Sequence, residues 1–366
     1  MSNSADFLII GGGIAGAGAA ARLAPHASVI LLEMEDALGR HATGRSAAIY
    51  IRNYGNQTLR ALNAASEPVL KQPEGISEES LLTPRGEMLV ATEDELDQFN
   101  AYLEGAEGME ALTPDQAVEL FPLLKREAIA AAAIEHDAQD IDVDRLLQGF
   151  ARLAKKHGAK FETDAPAQTI RRDNGLWHVE TPKGSFQAPV LINAAGAWAD
   201  TVAGLAGVAK VGLVPMRRSA AIVPPPDGVD VTRWPLVASA SESWYAKPDA
   251  GKLMVSPADE DPVEPHDAWP DDMVLAEGLY RFEQAVTMPV TRVERSWAGL
   301  RSFVSDRTPV VGFAPDAEGF FWLAGQGGYG VQTAPALSQL TADLCLGHPS
   351  PLAADVIAAL DPARFS

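Results

Sequence analysis

Phe7-Leu8-Ile9-Ile10-Gly11-Gly12-Gly13-Ile14-Ala15-Gly16 opens the chain's first long uncharged run, which extends to Ala21 and is followed by Ser28-Val29-Ile30-Leu31-Leu32-Glu33. The order reads as buried strand, tight turn, alanine-rich helix and second buried strand. Gly11, Gly13 and Gly16 have G-x-G-x-x-G spacing, so the first serves the turn, the second admits a pyrophosphate and the third lets helix and strand pack closely. A helix beginning near Ala15 aims free N–H groups and a partial positive charge at phosphate. Glu33, at the end of the second strand, stands where a carboxylate meets ribose hydroxyls. The uncharged run is too short to span a bilayer, which takes about 20 apolar residues. Asp6 and the lack of Lys or Arg ahead of the run fit a secretory signal poorly.

Working outward, 366 residues suffice for two lobes, one of them interrupted in sequence. One cysteine, Cys345, precludes an internal disulfide and a cysteine-based metal cluster, which points to a cytoplasmic setting. Forty-nine acidic against 29 basic residues give a net charge of −20, which argues against nucleic acid and anionic lipid as partners. His26, His136, His157, His178, His266 and His348 lack the spacing of a metal site or catalytic triad.

Three stretches read as nucleotide-domain pieces: 1–48, 140–213 and 297–366. In the second, Asp142 to His157 is expected to be an amphipathic helix with Leu146, Leu147, Phe150 and Leu153 on one face. Ala159 to Glu162, Trp177 to Glu180 and Val190 to Asn193 are expected strands. Residues 49–139 and 214–296 are richer in Pro, Trp and short alternating runs, and they read as one substrate domain on an antiparallel sheet. The fold class expected is α/β with two domains. Thr43-Gly44-Arg45-Ser46-Ala47 suits a loop that receives phosphate or a ring edge. Phe320 to Ala324 reads as a strand, then Gly325-Gln326-Gly327-Gly328-Tyr329-Gly330 as a turn before a helix reaching Leu346. Such a turn can stabilise negative charge on a reduced flavin.

Taken together, the opening motif with Glu33, the Thr43–Ala48 run, Asn193-Ala194-Ala195-Gly196-Ala197-Trp198, Trp297-Ala298-Gly299-Leu300-Arg301 and Gln326-Gly327-Gly328-Tyr329-Gly330 resemble the D-amino-acid oxidase superfamily of FAD enzymes. Pro84-Arg85-Gly86-Glu87-Met88, Arg217-Arg218-Ser219-Ala220 and Tyr245-Ala246-Lys247-Pro248-Asp249 are most similar to the bacterial FAD-dependent D-arginine dehydrogenases. The resemblance implies a Rossmann-like domain with noncovalent FAD held by Gly11, Gly13, Ile14, Ala15, Gly16, Glu33, Thr43, Gly44, Arg45, Ser46, Ala47, Ala195, Gly196, Trp198, Arg301, Gly327, Gly328, Tyr329, Gly330, Val331 and Gln332. It implies oxidation of a D-amino acid by hydride transfer from Cα to flavin N5, and hydrolysis of the imine to a 2-oxo acid and ammonia. Arg218 and Arg301 would clamp the substrate carboxylate, with Tyr54 and Tyr245 closing around it. Glu87 would face a cationic side chain, and Gly328 and Gln332 would complete the pocket.

Ile49 and Ile51 depart from the polar pair of those dehydrogenases, and Leu236 and Ala238 form another variable wall. Apolar residues there reward methylene groups, so D-arginine, D-lysine and larger apolar D-amino acids are all expected substrates. Alternatives on the same fold are glycine, sarcosine or another secondary amine, and a 2-hydroxy acid. Electrons are expected to pass to a quinone or similar acceptor more readily than to oxygen.

Overall fold

The computed structural model describes residues 3–365. β1 (Phe7–Ile10), α1 (Ile14–Leu23) and β2 (Val29–Leu32) form where the sequence places them, and every residue of both strands is buried. Full burial on both faces is what the centre of a parallel sheet demands. That sheet has six strands in the order Val310–Phe313, Phe320–Ala324, Val190–Asn193, β1, β2 and Lys160–Glu162. All neighbours are parallel except the edge pair of Val310–Phe313 and Phe320–Ala324. From β1 the chain moves to β2 on one side, and later returns to Val190–Asn193 on the other. The crevice at that reversal, beyond the carboxyl ends of the strands, is where such sheets bind ligands.

One face of the sheet carries α1, Val143–Lys156 and Gly330–Leu346. Small residues bring these helices close: a Cβ on Gly18 would lie 2.0 Å from Ser338 Oγ. The expected amphipathic helix begins one residue later than read, because Asp142 is its cap and accepts from Arg145 N at 2.9 Å. Leu146, Leu147 and Phe150 are buried there, while Leu153 is half-buried. The other face is covered by an antiparallel meander, Thr169–Asp173, Leu176–Thr181 and Gly184–Ala188, which buries Trp177, Val179 and Phe186.

The second large sheet has nine strands, eight from the two intervening stretches and a ninth, Arg295–Phe303, that runs on into the third nucleotide-domain piece. Its spine is Val214–Val223 against Arg295–Phe303, continued through Lys252–Ser256, Tyr245–Asp249, Leu236–Ser239, Glu87–Ala91, Ala131–Glu135 and Met109–Leu112. The antiparallel expectation is corrected at one seam, where Leu236–Ser239 and Glu87–Ala91 pair in parallel with Leu236 opposite Glu87. No hairpin joins these strands, which lie about 150 residues apart, so no turn imposed their direction. A small patch of Ile49–Tyr50, Gln139–Ile141 and Leu82–Pro84 lies where the chain passes between the two large sheets. Among the described residues no helix is long and apolar enough to cross a membrane.

Candidate active site

The opening glycines divide by what surrounds them. Gly11 has φ +110°, and a Cβ there would lie 2.3 Å from Ala194 O; one on Gly16 would lie 1.9 Å from Gly11 O. Both positions are closed by backbone. A Cβ on Gly13 meets only Thr43 Oγ1, at 3.3 Å, so this residue alone of the three keeps the cleft wall low. Thr43 Oγ1 accepts from Ile14 N at 3.0 Å and ties the following loop to the start of α1. Glu33 is 7% exposed and lines the far end of the same cleft. Its carboxylate accepts from Gly12 N at 2.6 Å and Glu35 N at 2.9 Å. Burial raises its pKa, partly offset by those two bonds.

The cleft continues past Ser46, Ala47, Ala195, Gly196 and Trp198 to Arg301, Gly328 and Val331. A low glycine wall, an open helix start and a terminal carboxylate along one continuous cleft fit an extended dinucleotide, so FAD would lie with phosphates at Gly13–Ala15 and ribose at Glu33. Arg45 lines the cleft, but its guanidinium is engaged by the protein itself. Its guanidinium donates to Ala268 O at 2.9 Å and Ala298 O at 3.1 Å and pairs with Asp267. It fastens the loop to the second sheet, and Trp297 Nε1 adds a bond to Arg45 O at 3.1 Å. Gly44 is likewise a packing position, its Cβ direction filled by Gly39 O at 2.5 Å.

At the substrate end Arg301 sits against the C-terminal glycine turn, where a Cβ on Gly328 would meet its guanidinium carbon at 2.9 Å. Its Nη1 donates to Tyr54 Oη at 3.3 Å. Burial works against the Arg301 charge, and the oxygens of Tyr54 and Tyr245 outweigh it, so the cation is held firmly. Arg218 and Tyr245 line the same part of the cleft. Arg218 is not free: Nε donates to Asp259 O at 2.8 Å and Nη2 to Glu260 at 3.0 Å. Tyr54 packs against Tyr329 with the rings tilted and their centres 4.7 Å apart.

Gln332 does not reach the cleft. Its amide accepts from Ile51 N at 3.1 Å and donates to Asn63 at 2.8 Å, fixing the backbone that leads to Tyr54. Ile49, Ile51, Leu236, Ala238 and Glu87 also lie outside the cleft lining, all but Ile51 in strands, and so do Tyr54 and Tyr329. Glu87 is 3% exposed, and its Oε2 has no hydrogen-bond partner. Burial pushes its carboxyl up to about 8, with Glu135 and Glu242 adding to the shift. The Tyr102 hydroxyl is buried and unpartnered as well, and it senses Glu87, Glu135 and Tyr54. Glu135 differs from Glu87 in being satisfied. It accepts from Arg52 N at 2.7 Å and Asn53 Nδ2 at 2.6 Å, and so braces the segment carrying Tyr54.

Sequence reasoning missed Glu135, Asn53 and Tyr102, which carry no local motif. Asp259-Glu260-Asp261-Pro262 carries no motif either, although Arg217-Arg218 offers the complementary charge. Asp259 accepts from Ser219 N at 2.6 Å, and Arg217 donates to Asp261 at 2.7 Å. Lys247 was seen only as part of a run. It is buried, with Nζ donating to Ala47 O at 3.0 Å and Asp140 at 2.6 Å.

The family profile described as FAD dependent oxidoreductase (DAO) matches residues 6–344. Human mitochondrial dimethylglycine dehydrogenase is 25% identical over 393 residues, covering 99% of this chain but 44% of its own length, so this chain spans under half of that relative. Glycine oxidase of Geobacillus kaustophilus (strain HTA426) is 25% identical over 364 residues, covering 94% of this chain and 93% of its own. Among solved structures, glycine oxidase from Geobacillus kaustophilus superposes with a TM-score of 0.83 at 24% identity, covering 99% of this chain and 98% of the other. L-proline dehydrogenase from P. horikoshii gives 0.85 at 23%, covering 100% and 98%. At these identities the structures speak for the fold.

Proposed function

We propose that this chain, which belongs to the FAD-dependent oxidoreductase (DAO) family and binds FAD, oxidises amine or amino-acid donors, and that these donors are D-amino acids, cationic and larger apolar ones foremost. FAD would lie along the domain formed by 1–48, 140–213 and 297–366, beneath a substrate domain of 49–139 and 214–296. When bound, FAD supplies the acceptor for a hydride from the substrate Cα. The chain supplies the rest. Arg301, Tyr54 and Tyr245 hold the carboxylate, with Arg218 beside them, and so fix where Cα stands. The glycine turn and the start of Gly330–Leu346 place N–H groups and a helix dipole against developing negative charge. The imino acid released is hydrolysed by water to a 2-oxo acid and ammonia.

The observation that carries the side-chain preference is the pair of unpartnered buried oxygens, Glu87 Oε2 and Tyr102 Oη, grouped electrostatically with Tyr54. A buried acceptor without a donor costs about 1 to 3 kcal/mol. Glu87 lies outside the cleft lining, so a substrate guanidinium or ammonium relieves that cost where its far end passes beyond the lining to reach these oxygens. D configuration rests on the motif resemblance, and D-arginine and D-lysine rest on it together with Glu87.

A second reading, a glycine-type or N-methylated amine, is favoured by the names of the relatives, glycine oxidase and dimethylglycine dehydrogenase. Anaerobic flavin bleaching by D-arginine, D-lysine, D-methionine, D-leucine, D-aspartate, D-glutamate, glycine, sarcosine and the L-enantiomers decides between them. Bleaching by the cationic and apolar D-acids, with none by D-aspartate or D-glutamate, is the expected result. Fast bleaching by glycine or sarcosine alone overturns it.

A further inference from the structure

Arg218 lines the cleft, yet its guanidinium is already engaged by Asp259 O and by a carboxylate of the protein itself. Its side chain is 9% exposed, and Nη2 lies 3.0 Å from Glu260 Oε1. Glu260 is shared. Arg307 Nη2 donates to both its oxygens, at 2.9 and 3.0 Å. Arg307 is itself held in place, its guanidinium 3.8 Å above the Phe303 ring, in a turn where it adopts φ +57°. Phe303 packs in turn on Tyr329 and under Gly327. Burial favours the neutral acid at Glu260, and the guanidinium groups of Arg307, Arg218 and Arg301 overcome it, so the group stays ionised.

We propose that Glu260 is a competing counter-ion that occupies Arg218 until a substrate carboxylate displaces it, and that Arg307 makes the exchange possible by keeping Glu260 paired afterwards. This rests on the reading of Arg301 and Arg218 as the carboxylate site. The physical reason is that a guanidinium so little exposed is costly to leave bare, and so is the carboxylate that leaves it. With two donors on Glu260, transfer of Arg218 from one anion to another strands neither charge. Glu260 therefore lowers affinity for every carboxylate by competition, while Arg307 raises it by housing the displaced group. The two partners of one salt-bridge network act with opposite sign.

Benzoate, a carboxylate with neither amine nor Cα hydrogen, is titrated calorimetrically into the FAD-loaded enzyme. Glu260→Gln keeps an acceptor of similar shape without the charge, and its Kd for benzoate falls by about tenfold. Arg307→Ala raises Kd by about fivefold or more. In the double variant the Arg307→Ala effect disappears, because no displaced carboxylate needs a partner. Glu260→Ala serves the same purpose if the glutamine variant does not retain FAD. Weaker benzoate binding in the Glu260 variants, or an Arg307→Ala effect that survives in the double variant, overturns the inference. Arg301→Met separates the two levels. Benzoate lost in Arg301→Met but unchanged in Glu260→Gln sinks the counter-ion and leaves the carboxylate site standing; benzoate unaffected by both Arg301→Met and Arg218→Met takes down both.

Discussion

Two glycine-rich turns each precede a helix and each line the cleft, but they are glycine for different reasons. At Gly11 and Gly16 a side chain would strike backbone: Ala194 O at 2.3 Å and Gly11 O at 1.9 Å. At Gly327 and Gly328 it would strike the Phe303 ring at 2.2 Å and the Arg301 guanidinium at 2.9 Å. The first turn is locked into the sheet that builds the fold, and nothing near it can yield. The second is moulded around the side chains of Phe303 and Arg301, and side chains can move where backbone cannot. Substitution should therefore separate the two turns, the first losing cofactor and stability, the second losing catalysis.

The largest effect is expected for Gly11→Ala, which combines a φ of +110° with backbone overlap. A destabilisation of about 3 kcal/mol or more follows from strain and overpacking together. Purified protein should be colourless and melt well below the parent; a yellow variant with unchanged Tm would break the contrast at its strong end. Arg301→Met comes next. Loss of the charged partner of a carboxylate costs about 2 to 5 kcal/mol in kcat/KM, with FAD content unchanged. Normal kinetics would move the clamp elsewhere.

Gly328→Ala sharpens the comparison because it touches the same arginine indirectly. Displacing the guanidinium by a few tenths of an ångström should raise KM by about tenfold, roughly 1.4 kcal/mol, while flavin stays bound. Loss of flavin instead would make the two turns alike. Acid precipitation should release all flavin in every variant that keeps it, since Cys345 lies in the last turn of Gly330–Leu346 and away from the cleft lining.

The remaining effect concerns Glu87. Its pKa is 4.5 in ordinary surroundings and about 8 in the fold. Below 4.5 folded and unfolded chains both hold the proton. Between 4.5 and about 8 only the folded chain does, so its contribution to stability falls as pH rises through that window and levels off above it. Glu87→Gln should flatten this part of the Tm profile between pH 5 and 9; an unchanged slope would mean that Glu87 is not the group responsible. On the substrate side, kcat/KM for D-arginine should rise through pH 8 relative to D-leucine, and the glutamine variant should abolish the difference.

Glu33, the strands around Gly11 and the turn before Gly330 were legible in the sequence because each is specified within a few residues. Buried apolar runs, glycines at fixed offsets and a helix start need no distant partner to be read. The same locality made the FAD cleft legible through its motif order. Arg218, Glu87 and Gln332 were named as pocket residues, but their surroundings are set by packing between segments far apart in the chain. Arg218 meets Glu260 forty-two residues later, and Glu87 lies opposite Leu236 in a parallel pair that no turn dictates. Gln332 reaches Ile51 across 281 positions. By itself, then, the sequence determined the α/β framework, the cofactor and the order of the motifs. Tertiary structure alone decided which charges are paired, which are buried bare and which side chains face the cleft, because desolvation and ion pairing depend on neighbours brought together only by folding.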